Sequence, residues 1–171
     1  MTPAMVLIMG IDSQIRGNES LLIHGLADEV AHLMTTLICL AAVRAVGIPV
    51  HWFAGLVGAV VLDLDHIPLL LNLIDPVMGS SRPATHSLGP VAPILLLGLI
   101  IPPWRLALWS LGFGMLTHLF RDAATGFAPL AWPLSDQPTH LRYSAYLLVL
   151  VALATVTTTV AVSRPRQPNR G

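Results

Sequence analysis

The sequence predicts an all-α fold, an integral membrane helical bundle with about five transmembrane helices. The chain has 171 residues, of which 54% are hydrophobic and 11% are charged, and its mean hydropathy is +0.73. Soluble domains carry roughly 25% charged residues, so this composition is typical of a chain that lies in lipid. The formal net charge is zero, which gives no reason to expect a nucleic-acid-binding surface. We therefore expect the lipid bilayer, and no nucleic acid, as a partner.

Three regions follow from the distribution of polar residues along the chain. Residues 1–25 are expected to form a mobile N-terminal leader, because a short apolar stretch without a basic start gives way to Asp12 and Glu19. Residues 26–162 would form a single transmembrane domain. Residues 163–171, which hold two prolines and three arginines, would form a disordered cytoplasmic tail.

Glycine and proline set the ends of the predicted helices. The first span stops at Gly47 and the third stops at Pro102, and each apolar run is near the ~20 residues that a bilayer needs. The second span is the least regular, because the sequence Asp-Leu-Asp-His interrupts it and Pro68, which can break a helix, follows. The predicted spans are residues 26–46, 50–74, 87–101, 104–122 and 143–162.

Ionisable side chains lie in, or at the ends of, these apolar spans. Such a side chain at bilayer depth costs at least about 2.5 kcal/mol, so it usually marks a functional site. Seven of them are histidine or aspartate, residue types that bind divalent metals. The set is His32, Asp63, Asp65, His66, His86, His118 and Asp122.

The predicted topology places this set on one face of the membrane. Successive spans alternate in direction. One side of the membrane therefore holds the start of the first span, the end of the second, the start of the third and the end of the fourth. His118 and Asp122 are four residues apart and Asp63 and His66 are three apart, so each pair shares a helical face. Asp65 would point away from Asp63 in a continuous helix, so either it has a different role or the helix unwinds there.

Each motif also has an ordinary structural interpretation. His118 and Asp122 could be a self-paired couple at the membrane surface, and the Asp-Leu-Asp-His sequence could be an interfacial turn. Ser87 is expected to be a helix N-cap rather than a nucleophile. Scattered polar residues would have no reason to gather on one side, so we favour a metal site. Asp28 is a reserve ligand, because it shares a helical face with His32.

Short blocks at these positions carry a resemblance to a known family. They are Ala31-His32-Leu33, Leu62-Asp63-Leu64-Asp65-His66, Arg82-Pro83-Ala84-Thr85-His86-Ser87, His118-Leu119-Phe120-Arg121-Asp122 and Pro129-Leu130-Ala131-Trp132-Pro133. The series, over about residues 30–134, resembles the membrane-bound metal-dependent hydrolase family, whose best-known members are LexA-regulated inner-membrane proteins of bacteria. Leu62 stands where that family has proline, and Ser81 stands where many members have a further histidine.

The resemblance implies a multi-pass protein of the bacterial inner (cytoplasmic) membrane. It also implies a distant similarity to zinc-dependent phospholipase C enzymes, which are helical and bind several metals. Most members of the family have no demonstrated substrate, so the resemblance implies a class of chemistry and little more.

Ligand chemistry leads to a hypothesis about the reaction. Imidazole and carboxylate groups suit zinc, with manganese or iron as alternatives. The expected ligands are His32, Asp63, His66, His86, His118 and Asp122. This set would serve two ions about 4 Å apart, which activate water for attack on a phosphoester or a related ester. Asp65 would orient a ligand or act as a general base, and Arg82 would clamp a substrate phosphate. A site at the membrane face favours a lipid-like or small phosphoester substrate.

Two other interpretations stay open. Proton and metal carriers also place histidine and aspartate in spans, so membrane transport or metal sensing without hydrolysis is the alternative. Against it, the ligands lie at helix ends on one side, whereas carriers bind near the midplane. A purely structural membrane protein is the third interpretation, and it leaves the one-sided cluster unexplained.

The arginines suggest an orientation. The side opposite the site carries Arg44, Arg105 and the three arginines of the tail, whereas the site side carries the remaining four. By the positive-inside rule, the site is expected to face the extracytoplasmic side of the membrane.

Overall fold

The regular secondary structure in the described part of the chain is helical. This computed structural model describes residues 3–15, 21–71, 73–77, 79–80 and 82–163. Within those ranges there is no β-strand, and a bridge joins Ala128 to Thr139. The predicted all-α fold is therefore confirmed. The α-helices are α1 (Pro3–Ile15), α2 (Leu21–Ala45), α3 (Trp52–Val60), α4 (His66–Leu70), α5 (Leu88–Ile100), α6 (Arg105–Thr125) and α7 (Tyr143–Ser163).

Three helical stretches in the described residues are long and apolar enough to cross a membrane. They are Gly25–Ala45 in α2, Trp52–Leu69 from α3 into α4, and Tyr143–Ser163, which is α7. A fourth candidate is α5 taken together with Pro102–Thr125, a pair bent by 119° that forms either a broken span or a re-entrant loop. The count is thus three or four, close to the five predicted.

The difference in count comes from α5. This helix has 13 residues and a length of about 20 Å, whereas the hydrocarbon core of a bilayer is about 30 Å thick. The 3-10 helix Pro102–Trp104 follows it, and the chain then turns back into α6. A bend above a right angle returns α6 toward the side on which α5 begins, so His86 and Asp122 stay on the same side.

The N-terminal residues differ from the mobile leader that the sequence predicted. Helix α1 buries Met5 and Ile8, which pack in one apolar cluster with side chains of α2 and α7. Asp12 lies on the same face and pairs with Arg121 of α6, with 2.6 Å between Oδ1 and Nη2. The sequence could not show this, because the two residues are 109 positions apart. Residues 16–20 of the predicted leader, and residues 164–171 of the predicted tail, lie outside the described residues.

The second span changes its helix type where its polar residues lie. Helix α3 ends at Val60, the 3-10 helix Val61–Asp65 follows, and α4 begins at His66. The α-helix is therefore not continuous at Asp65, one of the two possibilities that the sequence left open, but the segment winds more tightly rather than unwinding. Pro68 does not break the chain, because it lies in the first turn of α4, where a backbone N–H has no partner within the helix.

Helices α3 and α6 touch backbone to backbone through glycine. A Cβ atom on Gly58 would lie 2.1 Å from the Leu111 carbonyl oxygen, and one on Gly114 would lie 2.0 Å from the Gly55 carbonyl oxygen. Small residues allow such close approach between membrane helices. The contact aligns the end of α3 with the part of α6 that carries His118.

We expect Gly58→Ala and Gly114→Ala each to lower the apparent Tm of the protein in detergent, measured by circular dichroism. Each added methyl group would meet backbone at 2.1 Å or 2.0 Å, which the two helices can relieve only by moving apart. Overpacking of this kind costs about 1–3 kcal/mol. Gly25→Ala in α2 is the matched control, because nothing lies within 4 Å of its added Cβ. Equal Tm values for all three variants would contradict the close contact.

Candidate metal centre

All six ligands predicted from the sequence come together at one end of the bundle. They fall into two groups, and within each group the possible ligand atoms lie within 4.8 Å of one another. We call His32, His118 and Asp122 the buried triad, and Asp63, His66 and His86 the edge triad. The structure thus brings the six predicted ligands together, and their role in binding metal stays a prediction.

The buried triad joins helices α2 and α6. The imidazole rings of His32 and His118 stack with 3.8 Å between their centroids and an angle of 11° between their planes. Asp122 spans the two rings, with Oδ1 3.3 Å from His32 Nε2 and Oδ2 3.1 Å from His118 Nε2. All three side chains are 0% exposed.

The backbone of α3 determines the orientation of His118. Its Nδ1 lies 2.6 Å from the carbonyl oxygen of Ala59. A carbonyl can only accept, so Nδ1 carries the proton and a neutral ring turns the lone pair of Nε2 toward Asp122 and Asp63. A lone pair that faces carboxylate oxygens is stable only with a cation between them, either a proton or a metal ion. Histidine ligands of metals are commonly oriented in this way.

The edge triad is built from the 3-10 helix, α4 and the turn before α5. Asp63 Oδ1 lies 3.2 Å from His66 Nδ1 and 3.1 Å from His86 Nε2. Residues three apart eclipse one another in a 3-10 helix, which aligns Asp63 with His66 at its end. His66 is 36% exposed and Asp63 is 14% exposed, whereas His86 is fully buried.

The two triads adjoin through their carboxylates. Asp63 Oδ1 lies 3.6 Å from His118 Nε2, and Asp122 Oδ2 lies 3.7 Å from His86 Nε2. Either carboxylate is therefore within reach of both triads. A carboxylate in either position could therefore serve a cation held by either triad.

Asp65 contacts two of the predicted ligands, and its Oδ1 lies 3.2 Å from His66 Nδ1. Its Oδ2 lies 3.1 Å from His86 Nδ1 and also accepts a hydrogen bond from the Thr85 hydroxyl group. Burial disfavours the charged form of His86, but its hydrogen bonds to Asp63 and Asp65 outweigh this and raise its pKa. If a metal ion took the place of the proton on Nε2, the hydrogen bond from Nδ1–H to Asp65 would hold the ring with Nε2 toward the site, which fits an orienting role.

Arg82 reaches the buried triad from the loop before α5. Its Nη2 lies 2.8 Å from Asp122 Oδ1, and its side chain is 12% exposed. The Nε atom is buried and makes no hydrogen bond with the protein. The phosphate-clamping role of Arg82 remains a prediction, to which the structure adds an ion pair with Asp122.

Buried atoms without partners favour a cation at this site. Among the described residues, these ligand atoms make no hydrogen bond to the protein: His32 Nε2, His66 Nδ1, His118 Nε2 and Asp122 Oδ2. A buried polar atom without a partner costs about 1–3 kcal/mol, more if it is charged. Metal coordination would satisfy nitrogen and oxygen atoms together, so the donor set fits divalent ions.

Sequence reasoning missed a second buried network next to the site. Arg121 is 1% exposed, and its Nη2 lies 2.6 Å from Asp12 and 2.9 Å from Asp28. Tyr143 donates its hydroxyl proton to Asp12. Asp28, the reserve ligand, is 3.7 Å from His32 Nε2 through one oxygen and bound to Arg121 through the other. The spacing of Asp12 after Ile8 on an apolar face was the available signal.

Glu29 was missed as well. Its Oε2 is buried without a hydrogen bond, and its carboxylate interacts electrostatically with Asp63 and His32. It lies three residues before His32 on α2, and this spacing was a usable signal. Ser87 behaves as predicted, because its Oγ accepts from the Gly89 N–H and caps α5.

Comparison with known proteins assigns the chain to a family. The profile of the YdjM inner membrane protein family matches residues 28–169. The chain belongs to the YdjM inner membrane protein family. None of the curated proteins and none of the solved structures gave a significant match.

Family membership and the apolar helices together make this a membrane protein. The family description names a location and no reaction, and similarity to hydrolases or to phospholipase C was not found. Every ligand of both triads lies inside the matched range, whereas Asp12 lies before it.

Asp65→Asn should weaken zinc binding by about 10–100-fold, because changes to groups that orient a ligand typically have this effect. Competition with a fluorescent zinc chelator measures the affinity. Asp75→Asn is the control, because Asp75 is an exposed aspartate on the same stretch of chain. An unchanged affinity would remove Asp65 from the site, and complete loss of zinc would make it a direct ligand.

Proposed function

We propose that this protein is a membrane-embedded hydrolase that depends on divalent metal ions and cleaves a phosphoester, or a related ester, of an amphiphilic substrate. The proposal rests on one observation, the two adjoining triads of histidine and aspartate whose buried ligand atoms lack hydrogen-bond partners.

The composition of each triad is what supports hydrolysis. Two imidazoles and one carboxylate suit zinc, with manganese or iron as alternatives, and three protein ligands leave positions open for water and substrate. Divalent ions bound there would supply an activated water near pH 7 and would offset negative charge on a phosphoryl oxygen. Two ions would lie about 4 Å apart.

The protein's own side chains would bind the substrate and move the proton. Arg82 has buried N–H groups next to Asp122, where a phosphate oxygen can accept from them. Asp65 holds His86 in place and is 11% exposed, so it can also accept a proton from water at the edge of the site. Glu29 is a second candidate base, because its Oε2 is buried without a partner.

Transport is the second candidate function, and the break in the second span favours it. Carriers often build ion sites from discontinuous spanning helices, and α3 passes into a 3-10 helix where Asp63 lies. Hydrolysis remains the better proposal, because the ligands gather at one end of the bundle rather than halfway along it.

We expect purified protein with zinc or manganese to hydrolyse an activated phosphoester, and His118→Ala and Asp63→Ala each to abolish the activity. Each variant removes a ligand while the hydrophobic packing of the bundle is kept. Colorimetric assay of the released phenolate gives the rate, and circular dichroism checks folding. His140→Ala is the control, because His140 is exposed and bonded to the Gly126 carbonyl group.

Two other results would contradict the proposed hydrolysis. If the protein binds metal but cleaves neither phosphoesters nor acyl esters, while zinc or protons cross proteoliposomes, then the transport function replaces the hydrolase. Protein purified without chelator that holds no metal would remove both functions.

The site is proposed to face the extracytoplasmic side of the inner membrane. Arg44 lies at the end of α2 and Arg105 at the start of α6. Both therefore lie on the side of the membrane opposite the site, which is also the side on which α7 ends. Alkaline phosphatase fused after Gly171 should therefore be inactive in cells, and green fluorescent protein at the same position should be fluorescent. The reverse pair of results would place the site on the cytoplasmic side.

A further inference from the structure

The two triads differ in how deeply they lie. Every side chain of the buried triad is 0% exposed, and the stacked rings of His32 and His118 leave no open side among the described residues. In the edge triad, His66 is 36% exposed and Asp63 is 14% exposed. An ion in the buried triad could leave only if packed helices separated, whereas an ion in the edge triad could leave directly.

The exposed side of the edge triad borders an apolar stripe. Leu64, Ile67 and Leu71 are 61%, 58% and 63% exposed, and their spacing of three and four residues puts them on one face of the chain. Asp63 and His66 each come directly before a residue of this stripe, and their side chains face the other members of the edge triad. Leu64 and Ile67 belong to the candidate span Trp52–Leu69, so in a membrane these two side chains would face lipid.

The charges around the site suit an anionic group. Arg82 provides a guanidinium group with a buried, unpartnered Nε. Thr85 adds an exposed hydroxyl group, which is bonded to Asp65 at the mouth of the site. A phosphate group could accept hydrogen bonds from Arg82 while its acyl chains lie along the stripe.

We propose that the buried triad holds a slowly exchanging ion, whereas the edge triad holds an exchangeable ion at which the phosphate headgroup of a membrane lipid binds. The lipid reaches this ion sideways from the bilayer, past Leu64 and Ile67. This inference rests on the proposed function and assigns different tasks to its two metal positions.

Release of metal from the wild-type protein tests the first half. Protein loaded with zinc should bind about two equivalents per chain, and a chelator should remove them in two phases whose rates differ by at least roughly 100-fold. His66→Ala should lose the fast phase alone, and His32→Ala should lose the slow one. Release in a single phase from the wild type would overturn the assignment, whether or not the variants fold.

Cobalt at the edge triad tests the second half. Protein from which the fast zinc has been removed is reloaded with Co²⁺, whose visible spectrum reports changes in its ligands. Phosphatidic acid in nanodiscs should shift the spectrum, and inorganic phosphate should do so only at much higher concentration. No shift with phosphatidic acid would overturn lipid binding, and equal potency of the two probes would show that free phosphate is the ligand.

A substitution in the apolar stripe tests the route. Ile67→Ser should weaken the response to phosphatidic acid roughly tenfold, because it removes apolar contact with the lipid, and should leave the response to inorganic phosphate unchanged. Leu148→Ser is the matched control, because Leu148 is 69% exposed on α7, away from the stripe. Equal effects of the two substitutions would overturn the lateral route.

These outcomes separate the inference from the proposed function. If the protein cleaves a soluble phosphoester and releases its ions in one phase, the inference fails and the hydrolase stands. If the protein binds no metal, both fail.

Discussion

The contact between α3 and α6 is the interaction on which the rest of the site depends. Gly55, Gly58 and Gly114 let the two backbones meet without intervening side chains. That approach brings the carbonyl group of Ala59 within 2.6 Å of His118 Nδ1. In a continuous α-helix the Ala59 carbonyl would bond the Asp63 N–H, but here the chain passes into a 3-10 helix at Val61. The contact between α3 and α6 therefore orients His118. It also lies next to the helix break that holds Asp63.

The metal-dependent hydrolase family that the sequence resembles has a proline directly before the first aspartate of this segment. In this chain the second span breaks without that proline. Leu62 takes that place and is buried with Val91, Met115 and Leu119 in an apolar cluster. Packing of the Leu62 side chain against α6 holds the irregular segment in place. A proline would otherwise favour that segment by restricting its backbone. Irregular backbone at membrane depth is tolerated because it lies against protein and lines the polar site.

Buried charge is the second constraint on this molecule. Asp122 is fully buried and Asp63 nearly so, and such carboxylates are stable only next to positive charge. Arg82 supplies part of that charge to Asp122, and Arg121 supplies it to Asp12 and Asp28. His32 Nε2, His66 Nδ1 and His118 Nε2 make no hydrogen bond, and these nitrogen atoms together with the carboxylates fit divalent ions. Because Arg121 also holds Asp12, the network that balances the site fastens α1 to the bundle.

The sequence by itself determined the helical class, the apolar spans and the ligand types. It also determined that His118 and Asp122 share a face and that Ser87 caps α5, because these relations depend on spacing within one helix. The tertiary structure decided what lies across helices. It separated the ligands into a buried triad and an edge triad, paired Asp12 with Arg121, and placed Glu29 next to Asp63. It also shortened the third predicted span to α5. Spacing fixes which side of its own helix a residue occupies, but its neighbours on other helices depend on packing between segments distant in sequence.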